Sequence, residues 1–200
     1  MIIKKFTYTN ESTKIFAPLK CGTRWLEKNT NPNHIEEIRY EELFNKKLKE
    51  KPFFIYRDVL EHFKSGLYTE YLWFNHTSIP NSPTANLKLK KHTIDFDKYK
   101  NINELFKKLI ILGGHFIPNL WEKMHHKKPN FIFIKLDNLK NIFDDENISY
   151  DPTNFDFSKE YNDVPSKEEV FNMLSKTELD ILYKIIEKEN YYLNETISVK

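Results

Sequence analysis

"KIFAPLKCGTRWLEK", residues 14–28, is the stretch on which the reading of the chain turns. "KIFAPL" is a short apolar run of strand type that breaks at Pro18, and "RWLEKN" begins as a helix. Between them Lys20, Cys21, Gly22, Thr23 and Arg24 follow in succession. A strand that turns through glycine into a helix offers exposed backbone amides at the positive end of a helix dipole. Gly22 permits close approach, and Lys20, Thr23 and Arg24 add donors. The pattern suits a phosphate-like anion, but one strand, one turn and one glycine do not name it.

Working outward, "FTYTN" reads as a strand separated from "KIFAPL" by the turn-prone "NEST". In "HIEEIRYEELFNKKLKEK" the spacing of Ile35, Ile38, Leu43, Phe44 and Leu48 predicts an amphipathic helix, at least from Tyr40 onward. "PFFIY" is a continuous apolar run expected for a strand covered on both faces, and it ends at Arg57-Asp58. Leu60, Phe63, Leu67, Tyr71 and Phe74 then carry a helical rhythm. "NHTSIPNSPTANLKLKKHTIDFDKYKN" reads as a long surface excursion. "INELFKKLIIL" predicts a helix stopped by Gly113-Gly114, and "FIFIKLDNL" a second buried-type strand entering a short helix at "NLKNIF". "DDENISYDPTNFDFSKEYNDVPS" is acidic and turn-rich. "SKEEVFNMLSKTELDILYKIIEKENYYL" closes with helices whose starts place Ser or Thr before acidic residues. Strands alternating with helices predict an α/β fold with a mostly parallel central sheet and helices on both faces, with ligands at the carboxyl ends of the strands.

The length of 200 residues fits one domain, 1–200, with room for a real core. A formal net charge of +2 is too small to argue by electrostatics alone for long nucleic acid or an acidic membrane as partner, and it leaves room for a local basic pocket; no nucleic-acid partner is expected. No apolar run reaches the length of a membrane span, and "MIIKKF" lacks the features of a secretory signal, so a cytoplasmic protein is expected. Cys21 is the single cysteine, which excludes an internal disulfide and a cysteine-rich zinc site.

"APLKCGTRW" resembles the phosphosulfate-binding loop of sulfotransferases that use 3′-phosphoadenosine 5′-phosphosulfate (PAPS). "FFIYRDVLEHFKSGL" is similar to their second motif, an apolar strand ending in Arg-Asp with a Ser eight positions after that Arg, the pair that grips the donor's 3′-phosphate. Arg57 and Ser65 keep that spacing. "GGHFIPNLW" followed by "PNFIFIKLDNL" resembles the His-containing segment and acidic strand end of carbohydrate sulfotransferases. The likeness runs from about Lys14 to Leu139. It departs where Val59 replaces the usual Pro and His62 an Arg that is often present.

The resemblance implies a P-loop-like architecture, a donor site formed by Lys20, Cys21, Gly22, Thr23, Arg24, Trp25, Arg57 and Ser65, and PAPS as co-substrate. It also implies transfer to a hydroxyl of a carbohydrate or other small polar acceptor. Such transfer needs a deprotonated hydroxyl, in-line approach to sulfur and stabilised charge on the leaving oxygen, for which Lys20 and the loop amides are placed. His34, flanked by Glu36 and Glu37, is the first candidate for general base, and His115 the second. Each has a plain alternative: a surface loop for His34, a local cap or packing role for His115. Cys21 reads as a small loop residue, and His125-His126 as a solvated basic turn. Scattered histidines give no metal site. Two other classes stay open: a catalytically degenerate nucleotide-binding or interaction module of the same fold, and a kinase-like transferase. The Walker pattern G-x-x-x-x-G-K-[ST] is absent, which disfavours the last.

Overall fold

The computed structural model describes residues 2–8, 13–44, 51–76, 98–151 and 164–198. Most of the expected excursion after Asn75 and the middle of the acidic segment after Phe143 lie outside the described residues, as does the continuation of "YEELF" beyond Phe44. The chain divides into two compact units: 1–58 with 119–159 and 189–200, and 59–118 with 160–188.

The first unit holds an α/β arrangement on a five-stranded sheet, with β1 (Ile2–Thr7), β2 (Lys14–Pro18), β3 (Ile35–Arg39), β4 (Phe53–Tyr56) and β5 (Ile132–Lys135) in the order β3-β1-β2-β4-β5. The sheet is mixed, not mostly parallel: β1 runs antiparallel to both β2 and β3, while β2, β4 and β5 are mutually parallel. The reason is the connection. So short a link between β1 and β2 can return the chain only antiparallel, whereas parallel neighbours need a long crossover.

Ile35 to Arg39 form a strand where a helical start was expected, and α2 begins only at Tyr40 (Tyr40–Leu43). Register explains the choice. Glu36 lies opposite Lys5 and Glu37 opposite Lys4, with ion pairs at 2.9 Å and 3.3 Å, so this edge strand is selected by opposite charges across the ladder. The helix α1 (Thr23–Lys28) buries Trp25 and Leu26, and α6 (Leu139–Asp145) buries Leu139, Ile142 and Phe143, in one core with Phe6, Ile15 and Ile55. Phe143 stands edge-on to Trp25 at 4.6 Å and to Tyr8 at 5.2 Å. Between α2 and α6 in this unit comes α5 (Leu120–Lys127), so His125 and His126 occupy a last helical turn rather than a loop. Glu189, 1% exposed, accepts the Trp121 amide at 2.8 Å and thereby caps the start of α5.

The second unit is helical: α3 (Val59–Asn75), α4 (Ile102–Ile111), α7 (Lys167–Asn172) and the first part of α8 (Lys176–Ser198), whose end from Glu189 belongs to the first unit. Phe63 packs on Phe106 and Phe116. Gly66 lets α3 approach closely, since a Cβ there would stand 3.1 Å from the backbone of His115. The start signals read from sequence are present: Ser166 and Glu169 form a reciprocal capping box on α7, and Glu178 accepts the Ser175 amide at 2.8 Å. No helix among the described residues is long and apolar enough to cross a membrane.

Candidate anion site at the ends of the parallel strands

The parallel register pairs Ile15 with Phe53 and Phe16 with Phe54, and on the other side Tyr56 with Lys135. Carried forward, it brings the ends of β2, β4 and β5 level, so the residues after Pro18, Tyr56 and Lys135 emerge along one edge. This is the edge at which α/β folds hold ligands.

After β2 the chain turns tightly, with the Cys21 amide donating to Pro18 O at 3.0 Å. Lys20 and Gly22 have positive φ, 67° and 79°, while Cys21 and the helical Thr23 do not. Two left-handed residues thus frame Cys21 in a tight turn that leads straight into the uncapped start of α1, where backbone amides are available to an anion. No side chain caps α1, its first turn carries no acidic residue, and its first amides have no intrahelical acceptor. Gly22 is fixed from two directions: its φ is unfavourable to side chains, and a Cβ would lie 2.7 Å from Leu136 Cδ1. The loop after β5 therefore packs directly on the turn.

Arg57 meets the same turn. Its guanidinium Nη1 donates to the Lys20 carbonyl at 3.2 Å, and its backbone amide donates to the Cys21 sulfur. Burial pushes the Cys21 thiol up to about 12, against which the Arg57 charge and this hydrogen bond act only in part. Cys21 is 1% exposed and neutral, a packing residue without the thiolate a nucleophile needs. Thr23 is buried, Arg24 exposed and Lys20 half-buried. The Trp25 ring is wholly in the core, so only its backbone faces the helix start.

The structure thus brings together Lys20, Cys21, Gly22, Thr23, Arg24, the Trp25 backbone and Arg57. His34 is not with them. It closes a 3-10 turn (Pro32–His34) just before β3, and β3 starts opposite Phe6, which itself pairs with Ile15 at the start of β2. His34 therefore lies exposed at the other end of the sheet, two strands over and more than about 10 Å along the strands from Lys20. The order of residues along the chain carried no warning of this, because α1 returns the chain to the far edge.

Ser65 and His115 belong to the second unit. Ser65 is half-buried on α3, and its carbonyl accepts from Thr69 Oγ1 at 2.9 Å. His62, at the position of the often-present Arg, is buried against Phe116. His115 is 8% exposed and its Nδ1 lies 2.8 Å from Glu70 Oε1, while Lys108 Nζ reaches Glu70 Oε2 at 2.6 Å. The Trp73 ring stands edge-on to His115 at 4.6 Å. Glu70 was not singled out from sequence: it sits inside a helical pattern, and nothing local announces that a distant lysine and histidine converge on it. Burial raises the Glu70 carboxyl, but the hydrogen bond and charge of His115, then Lys108, outweigh it and hold the group below the ordinary carboxylate range.

Two outcomes follow. Lys20→Gly removes a left-handed non-glycine residue, which costs roughly 1–2 kcal/mol, so urea unfolding should show stability unchanged or raised by about 1 kcal/mol while anion binding falls. A loss of about 2 kcal/mol would instead make Lys20 a structural residue. Because the folded-state pKa of Glu70 is depressed, its stabilisation is complete above the unfolded value and is lost as pH falls through the lower folded value. Glu70→Gln should therefore lower stability by about 3 kcal/mol near neutral pH and flatten the decline below about pH 4, read by denaturant titration across pH.

The chain matches no family model, no curated protein and no solved structure, so a role for this edge of the sheet rests on its own residues.

Proposed function

We propose that the turn Lys20–Trp25, with Arg57, binds the phosphosulfate donor PAPS, and that the protein transfers its sulfuryl group to a hydroxyl of a carbohydrate or other small polar acceptor. The observation that carries this reading is the convergence of Arg57 on the Lys20 carbonyl at 3.2 Å, beside the start of α1, which no side chain caps. Two motifs separated in the chain meet at one edge of the sheet, beside a helix start whose amides can receive an anion. The finer likeness to a P-loop-like architecture belongs to this proposal too, supported by the parallel run β2-β4-β5 and its strand–turn–helix opening.

In this reading the acceptor oxygen attacks sulfur in line, a new O–S bond forms, and the S–O bond to the donor's phosphate breaks. The acceptor proton passes to a base, and the electron pair stays on the departing phosphate oxygen. The Lys20 ammonium and the amides of Gly22, Thr23 and Arg24 stabilise that charge where it develops. Arg57, tied to the turn by side chain and backbone, gives it a fixed shape before the donor arrives and places a cation beside the donor's phosphates. Thr23 follows Gly22 without the Walker lysine, which is why a sulfate donor is preferred to magnesium ATP.

A second reading, a nucleotide-binding module without transfer, is favoured by the position of His34 at the far end of the sheet. Isothermal titration calorimetry with 3′-phosphoadenosine 5′-phosphate tests the donor site that both readings share. Binding is expected, with Arg57→Ala weakening it by roughly 10–100-fold, the scale of a lost charge-assisted hydrogen bond. No binding, or binding indifferent to Arg57→Ala and to a tenfold-order salt change, sinks both. Sulfate transfer from PAPS to a panel of sugars then separates the enzyme from the module.

A further inference from the structure

At the amino end of β5, away from the Lys20 turn, lies a cavity of about 160 Å³ that the proposed chemistry does not use. It is bounded by the end of α5, the start of β5 and the end of α8, all within the first unit. Its walls are mostly apolar: Met124 is fully buried and Pro129 and Phe133 are half-buried, with His125 and Thr196 also lining it. Lys128 and Glu195, both exposed, line it as well. These two opposite charges line one cavity without forming an ion pair with each other, and neither makes an ion pair among the described residues.

Size and charge together select an occupant. A cavity of roughly 150 Å³ lined by apolar side chains accommodates a single benzene ring. Met124 adds a thioether suited to a ring edge, and Phe133 a second aromatic surface. A ring filling this space leaves its substituents at the mouth, between an ammonium and a carboxylate. A ligand bearing one cation would meet Glu195 favourably and Lys128 unfavourably, and an anion the reverse. A zwitterion satisfies both at once.

We propose that this cavity is a binding site for a free aromatic α-amino acid, its ring against Met124, Pro129 and Phe133, its carboxylate toward Lys128 and its ammonium toward Glu195. The site is separate from the donor turn, at the opposite end of the parallel strands, so it stands or falls independently of the sulfotransferase reading.

Titration calorimetry of the full chain with L-phenylalanine, phenethylamine and 3-phenylpropionate tests it. L-phenylalanine should bind, and the two singly charged analogues about fivefold or more weakly, the scale of one exposed charge pair. Lys128→Met should weaken L-phenylalanine about fivefold and leave phenethylamine unchanged, and Glu195→Gln should weaken both amines by a similar factor. Both positions are on the surface, and an unchanged circular dichroism spectrum verifies each variant's fold. Absence of L-phenylalanine binding, equal binding of the three ligands, or indifference to both substitutions overturns the proposal.

Discussion

A guanidinium on a backbone carbonyl and an amide on a buried thiol tie the end of β4 to the turn after β2, and both contacts exist because the two strands lie side by side and run the same way. Were β4 antiparallel to β2, Arg57 would leave at the other edge and the turn would lose its second wall. Cys21 is enclosed in this joint, and its burial keeps the thiol neutral despite the nearby Arg57 charge. From the other side, the loop after β5 presses Leu136 and Leu139 against Gly22, so three consecutive parallel strand ends shape one short turn. A left-handed lysine is retained in it. Conformations of that kind persist where the surroundings over-determine them, which is what these three contacts do.

Much of this edge was legible in the sequence because its signals are local. A glycine flanked by an apolar run and a helix start predicts a turn, and "PFFIY" closing on Arg57 predicts a buried strand with a polar end; both elements form where expected. β3 was not legible. Ile35 and Ile38 are three apart, a helical spacing, and what makes the segment a strand is the pairing of Glu36 and Glu37 with Lys5 and Lys4, residues some thirty positions earlier. That one strand also explains why His34 sits away from Lys20. The helical rhythm of α3 was plain, yet the burial of Glu70 between a lysine and a histidine was not, since Lys108 and His115 reach it from distant positions.

The two units use buried charge differently. In the first, Glu189 is spent on a backbone amide, completing the start of α5. In the second, Glu70 gathers a lysine and a histidine, with Gly114 so close that a Cβ would fall 2.7 Å from the carboxylate. An imidazole held by a carboxylate is the arrangement an oriented base needs. Burial of both partners also makes it a strong structural element, since a buried charge deprived of its partner is costly. The same geometry serves either role.

The central claim is that the amides of the Lys20–Thr23 turn are the seat of an anion. Backbone ¹⁵N–¹H spectra recorded while 3′-phosphoadenosine 5′-phosphate is added test it most directly. The account predicts saturable downfield shifts of the Gly22, Thr23 and Arg24 amides, larger than those of any other segment of the first unit. Unmoved resonances at these three residues, with the nucleotide either unbound or perturbing amides elsewhere, would contradict it.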